Sequence, residues 1–499
     1  MKRSIIIGLL ALSGQSFAQN QHEIFKYSFI SPTASARTLG AGGAWGAAGA
    51  DMAGAAINPA GFGLYRRNEV MGSMAITSKL NNTTYNGNTM SDGRTNFNIP
   101  NFGYVATINN GYMGKDQTHS GVTSGSFAFG MNRLADFQNN IQYSGLGKNT
   151  TIGDYFAAQA NGTDYSVFNS PGLDNDPIAQ AWRVYMIDTF GGPSSYASYP
   201  GIYGDTNYTM QQFNQIEERG RINEWYAGGG LNFGNTLYLG ASLVIQGLRY
   251  RNTTTYRETL KDKSVATNPY QEGVVTQYSE TSGSGVGGKF GIILRPIDLI
   301  RVGVSYHTPV RLNLEKEYEF TTTAKFNGGL VYTADPDRMD RYEYQIVTPG
   351  RLTASTAVVL GKFMVITADF ERVDYRSGRL NDKVGNANFT PANDAMKTTY
   401  GIANNLRTGL EIATGYTRWR LGYGLLGSPY QENVVSKEDG LRQLVSGGFG
   451  WLYGETYFFD LAVQGIIGKT YLSPYAGIPS SAVNESLNLN FVFGAGYRF

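Results

Sequence analysis

Apolar and polar residues alternate one by one through most of the chain beyond residue 68. In the closing run Leu487, Leu489, Phe491, Phe493, Ala495, Tyr497 and Phe499 fall on one side of an extended strand, and Asn488, Asn490, Val492, Gly494, Gly496 and Arg498 on the other. Fourteen segments carry such a pattern, at about 68–80, 97–109, 123–142, 221–234, 236–257, 275–295, 298–319, 341–360, 362–376, 400–414, 416–426, 440–454, 456–470 and 484–499. An even count allows an antiparallel sheet to close with both chain ends on one side.

The parity of each segment separates two faces. Trp419, Leu421, Tyr423 and Leu425 oppose Arg418, Arg420, Gly422 and Gly424, while Leu406, Leu410 and Ile412 oppose Arg407, Gly409 and Glu411. By the same rule Arg301, Ser305, His307, Asp369 and Glu371 share the charged face, where pairing with one another or with an inner segment is expected. The fold class that follows is all-β: a transmembrane antiparallel β-barrel of about 14 strands, apolar outside and polar within.

The first residues predict export. Lys2 and Arg3, the apolar run Ile5 to Leu12, and Ser16-Phe17-Ala18 form a signal peptide over 1–18, with cleavage before Gln19. Beyond it no stretch of about twenty apolar residues occurs, so helical spans are not expected. The 64 Gly, 34 Tyr and 26 Phe favour strands and interfacial aromatics. Without Lys2 and Arg3, basic and acidic residues are equal in number, which argues against nucleic acid as partner and against a charge-steering pore. There is no cysteine.

Two regions break the pattern. From Arg37 to Gly63 the chain is dominated by Gly and Ala, able to turn sharply and pack closely. The second is a long loop at about 143–220. Within it Asp176 and Pro177 predict a helix start, Gly191-Gly192 a stop, and Ile178, Ala181, Trp182, Tyr185, Met186 and Phe190 one apolar face. A second helix is expected over 208–219, capped by Asn207 and stopped by Gly220, with Met210, Phe213 and Ile216 on one side. The apolar face of the first helix serves either a loop core or a hydrophobic entry site formed by Trp182, Tyr185, Met186 and Phe190.

The Gly/Ala region carries a family resemblance. Leu39-Gly40-x-Gly42-Gly43-Ala44, Ala47-Ala48-x-x-Asp51 and Asn58-Pro59-Ala60-Gly61, followed by Glu69, resemble the amino-terminal signature of FadL/TodX outer-membrane transport proteins. Asn101-Phe102-Gly103-Tyr104, Thr348-Pro349-x-Arg351-Leu352, Asp369-Phe370-Glu371, Leu406-Arg407-x-Gly409-x-Glu411 and Leu421-Gly422-Tyr423-Gly424 extend it along the chain.

The resemblance implies a lumen hatch at 19–66, with Gly40, Gly42, Gly43, Asp51, Asn58, Pro59, Ala60 and Gly61 in it, and a barrel over 67–499. It also implies passive transport of hydrophobic compounds, long-chain fatty acids or aromatic hydrocarbons, across the outer membrane of a Gram-negative bacterium. Cargo in that family leaves through a lateral gap, for which Pro100, lacking a ladder donor, and the stretch Gly125 to Arg133 are the candidates. Tyr497 and Phe499 are the expected assembly signal. The partners implied are hydrophobic small molecules, outer-membrane lipid and the barrel-assembly machinery, with a monomeric barrel.

Other classes are less well supported. Only His22, His119 and His307 are present and no GxSxG motif occurs, so an enzyme is not expected, nor a haem, metal or other cofactor site. The alternative within the fold is a FadL-like shuttle or scaffold for protein cargo in type IX secretion.

Overall fold

The computed structural model describes residues 21–30, 35–109, 121–383, 388–454, 456–475, 478 and 481–499. The expected signal peptide and His119 lie outside them. Fourteen strands run round one closed sheet. They are β1 (Glu69–Tyr85), β2 (Asn88–Asn109), β3 (Val122–Asp136, continued by Asn139–Lys148), β4 (Thr209–Phe233), β5 (Leu237–Asp262) and β6 (Tyr270–Ile297). Next come β7 (Ile300–His307, continued by Arg311–Phe326), β8 (Asp340–Val347, continued by Arg351–Leu360) and β9 (Met364–Asp374, continued by Arg379–Asp382). β10 (Ile402–Thr414), β11 (Thr417–Leu426), β12 (Arg442–Tyr453), β13 (Tyr457–Leu472) and β14 (Ala482–Arg498) complete the wall. Each pairs antiparallel with its chain neighbour, and β14 returns to β1 with Glu69 opposite Arg498.

The faces follow the sequence parity. Phe491, Phe493, Tyr497 and Phe499 are exposed on the outer surface of β14, whereas Asn490 and Val492 are buried on its inner side. On β11, Trp419, Leu421 and Tyr423 are exposed and Arg420 is buried. At the end holding both barrel termini, Tyr104, Tyr416, Trp451, Tyr453, Tyr457, Tyr497 and Phe499 form an aromatic girdle. No helix among the described residues is long and apolar enough to cross a membrane.

The strands extend further than alternation predicts at the other end. β1 and β2 meet at Asn86-Gly87, both at positive φ (47° and 82°), as a two-residue hairpin turn demands. The helix expected over 208–219 is instead the first half of β4, and Gly220 (φ 128°) lies inside that strand. Paired strands beyond the apolar band no longer place one face in lipid, so their hydrophobic alternation disappears while the ladder continues.

The loop proper is therefore 149–208. It contains three helices, a two-stranded ribbon and a buried core that includes Ile152, Phe156, Phe168, Met186 and Ile187. The helix begins where predicted, with Asp176 accepting from the amides of Ile178 and Ala179 at 2.9 Å each, but ends at Arg183. Tyr185 takes φ 60° and the chain enters the ribbon, so Phe190 is not on that helix.

The β2–β3 wall is irregular. Its ladder runs from Asn109/Ser124 to Asn101/Asn132 and has no pairs beyond. There two residues of β2, Ile99 and Pro100, oppose Met74 alone, a bulge suited to a proline without an amide hydrogen. Past this point side chains bridge the outer halves: Asn96 Nδ2 donates to Asp136 Oδ2 (3.1 Å), Arg94 Nε to Gln138 Oε1 (3.0 Å), and Asn88 Nδ2 to the Ser144 carbonyl (2.8 Å). Gly125, by contrast, is paired on both sides, with Ile108 and Leu231. Along the 125–133 stretch, pairing to β2 thus holds from Gly125 to Asn132 and stops there, and pairing to β4 shifts register between Arg133 and Ala135.

Candidate functional site: a filled lumen with an internal cavity

Residues 35–65 fold as short helical turns inside the barrel: α2 (Ala36–Gly40), α3 (Met52–Ile57) and a 3₁₀ turn at Pro59–Leu64. Asp51 organises this segment. Its carboxylate accepts from Ser35 Oγ (3.0 Å), Thr38 Oγ1 (2.7 Å) and the amides of Ala53 and Gly54 (3.0 Å each), which caps α3 and ties it to α2. Asn58 Oδ1 accepts from the Ala60 amide at 3.1 Å, and its Nδ2 donates to the Ile292 carbonyl of β6 at 3.3 Å. Pro59 opens the 3₁₀ turn, and Ala60 and Gly61 are buried within it.

Small residues let this segment touch the wall backbone to backbone. Gly42, at φ 71°, leaves no room for a side chain, since a Cβ would lie 2.6 Å from the Thr408 carbonyl. Gly40 and Gly43 are likewise buried, with Gly40 against Gly448.

The inward charges on the strands hold the segment. Arg37 meets Glu411 through two bonds (2.8 and 3.0 Å), and Arg420 bridges Glu411 (2.6 Å) and Asp460 (2.5 Å). Asp369 accepts from the Gly46 amide, Arg301 Nη1 donates to the Ala48 carbonyl (2.5 Å), and Ser305 Oγ donates to the Ile57 carbonyl (2.9 Å). The pairing expected of these charges thus includes the inner segment.

A cavity lies over this filling, floored by Ala53, Ala56 and Ile57 and walled by Asn132, Leu134, His307, Arg351, Glu371 and Arg407. A second, smaller one shares Ile30, Leu134, Lys289, His307 and Arg351 with it and reaches Tyr27 and Val310. The charges here are paired within the barrel: Lys289 Nζ with Glu224 (2.5 Å), and Arg351 with Glu371 (3.4 Å). Arg407 carries its charge beside the carboxylates of Glu371 and Asp369, and its buried Nε has no hydrogen-bond acceptor among the described residues.

Above the cavities lies α1 (Gln21–Ser28). Lys26 pairs with Glu218 (2.7 Å), Lys316 with Glu23 (2.5 Å), and Phe25 stacks on Tyr400. The sequence pattern did not single out this helix. Its eight residues are too few for a strong periodic signal, and its partners come from β4, β7 and the segment before β10.

The four residues of the expected entry site do not form one surface. Met186 is buried in the loop core, Trp182 is half-buried against Tyr165 and Phe168, Tyr185 is exposed beside Tyr332, and Phe190 is 54% exposed on the ribbon. Tyr497 and Phe499 stack at the outer rim with ring centroids 5.4 Å apart. No group of three or more metal-ligating side chains occurs among the described residues.

No family model matches the chain, and no curated protein does. Solved structures do. A FadL homologue of Pseudomonas aeruginosa aligns over 95% of this chain and 100% of its own, with TM-score 0.57 and 13% identity. The Pseudomonas putida toluene transporter TodX gives the same coverage and identity with TM-score 0.50. A TodX monoaromatic hydrocarbon channel deltaS2 mutant covers 93% of this chain and 98% of its own, with TM-score 0.51 and 12% identity. The resemblance carried by the motifs is therefore shown at the level of the fold: a fourteen-strand barrel of the FadL/TodX type.

Proposed function

We propose that the chain is a passive transporter of hydrophobic compounds in the outer membrane of a Gram-negative bacterium, with residues 35–65 as its hatch. The observation that carries this reading is the position of the cavity. It is closed from below by the inner segment and bounded by Asn132, the β3 residue at which pairing to β2 stops. A solute held there has a blocked route along the barrel axis and a weakly joined wall beside it. That arrangement suits sideways release into lipid better than flow through a water-filled pore.

Arg407 narrows the cargo. The cavity sets an apolar floor under a wall with more cations (Lys289, Arg351, Arg407) than carboxylates (Glu371), and the unpartnered Arg407 Nε suits an amphipathic carboxylate better than a bare aromatic hydrocarbon. Cells lacking their own hydrophobic-compound uptake and producing this chain should accumulate a labelled long-chain fatty acid. Arg407→Gln should slow that uptake while leaving toluene entry unchanged. Equal uptake with and without the barrel would refute the transport reading, and an equal effect of Arg407→Gln on both solutes would refute the carboxylate preference.

A further inference from the structure

The outer surface of β4 to β7 carries arginines at one level. Arg221, Arg249 and Arg311 each lie about a dozen residues along their strands from Phe233, Leu237 and Ile300 respectively, while Arg133, eleven residues from Val122, is mostly buried against Asp136 and Asn223. That is roughly 40 Å of strand. At a tilt of about 40° it becomes about 30 Å of height, just beyond an apolar band of about 25 Å. The band below is occupied on the same face by exposed Phe129, Trp225, Ile245 and Tyr306.

The arrangement is electrostatically unfavourable by itself. Arg221 stands directly opposite Arg249, and Arg219 opposite Arg251, in consecutive outward positions of the β4–β5 ladder. Like charges so placed destabilise a sheet. The nearby carboxylates do not balance them: Glu280 is shared by Arg249 and Arg251 (2.9 Å each), Glu217 serves Arg219, and Asp136 serves Arg133. Exposed Arg221 and Arg311 have no carboxylate partner among the described residues.

We propose that this arginine belt binds the phosphorylated headgroup of a glycolipid in the outer leaflet, fixing the barrel's depth and its lipid neighbour. The height selects a lipid over a soluble anion, because the belt adjoins the lipid-facing band without a break, and guanidinium matches phosphate by paired hydrogen bonds. The inference rests on the outer-membrane reading above.

Native mass spectrometry of the full chain in detergent, titrated with bis-phosphorylated lipid A, tests it. Binding should be at least about tenfold tighter than to the same lipid A with its phosphates removed, and Arg221→Gln/Arg249→Gln/Arg311→Gln should abolish the difference. Equal binding of the two lipids, an unaffected triple variant, or inorganic phosphate at equal molarity displacing the lipid would each overturn the proposal. Flotation with phosphatidylcholine vesicles is run on the same samples. A chain that floats but does not discriminate refutes the belt alone, whereas one that does not float refutes the membrane reading itself.

Discussion

Removing Glu411 should unseat the hatch without unfolding the barrel. The carboxylate accepts two bonds from Arg37 and one from Arg420, and Arg420 keeps Asp460 when Glu411 is gone. In Glu411→Met, therefore, Arg37 is the cation left without a carboxylate. Breaking a buried pair by removing one partner costs about 3–5 kcal/mol. The Arg37 side chain is 23% exposed, which favours the lower end, about 3 kcal/mol. That corresponds to roughly a hundredfold rise in the unseated population.

The remaining anchors at Asp369, Arg301, Ser305 and Asn58 are untouched, so heat-modifiable gel mobility should persist. In planar bilayers Glu411→Met should show frequent opening events that the parent lacks. The double variant Arg37→Met/Glu411→Met, which removes the orphaned cation, should recover most of the closed behaviour. Bilayer records of Glu411→Met matching the parent, or no recovery in the double variant, would refute the view that this ion network seats the hatch.

Three further outcomes are expected. Phe190→Ser should lower uptake of a hydrophobic probe with the loop intact, because Phe190 is exposed, whereas Trp182→Ser should increase protease cleavage within 149–208 by loosening its core; equal uptake by Phe190→Ser and the parent would remove the entry role. A short bis-maleimide joining Asn96→Cys to Asp136→Cys should stop uptake and leave assembly unchanged, and undiminished uptake would place the exit elsewhere. Burial, aided by Lys26, holds the His22 imidazole below its free value of 6.5, so the seat of α1 is most stable above that value and weakens as the pH falls through the lowered one. Hydrogen exchange of α1, corrected for intrinsic rates, should therefore quicken from pH 7.5 to 5, and His22→Gln should flatten the dependence; an unchanged slope in that variant would exclude His22 as the cause.

The barrel was legible in the sequence wherever one strand face meets lipid and the other the lumen, since that boundary imposes a period of two. Trp419/Arg420 and Phe491/Val492 are examples, and the strand count followed from them. Beyond the apolar band, as in Asn81-Asn82-Thr83-Thr84, both faces tolerate polar residues, so alternation missed the extension of β1, and the Asn86-Gly87 pair was the unused signal of its turn. Within the loop, Met210, Phe213 and Ile216 sit at helical spacing but belong to a strand, because pairing with β3 and β5 supplies hydrogen bonds that local spacing cannot foresee. The small residues of 37–63 declared a tightly packed segment. That Arg37 meets Glu411, that pairing of β2 to β3 stops at Asn101, and that α1 lies over the cavity were decided by closure of the sheet. Closure alone brings residues hundreds of positions apart into one lumen, where burial favours charges that meet a partner, as Arg37 and Arg420 meet Glu411.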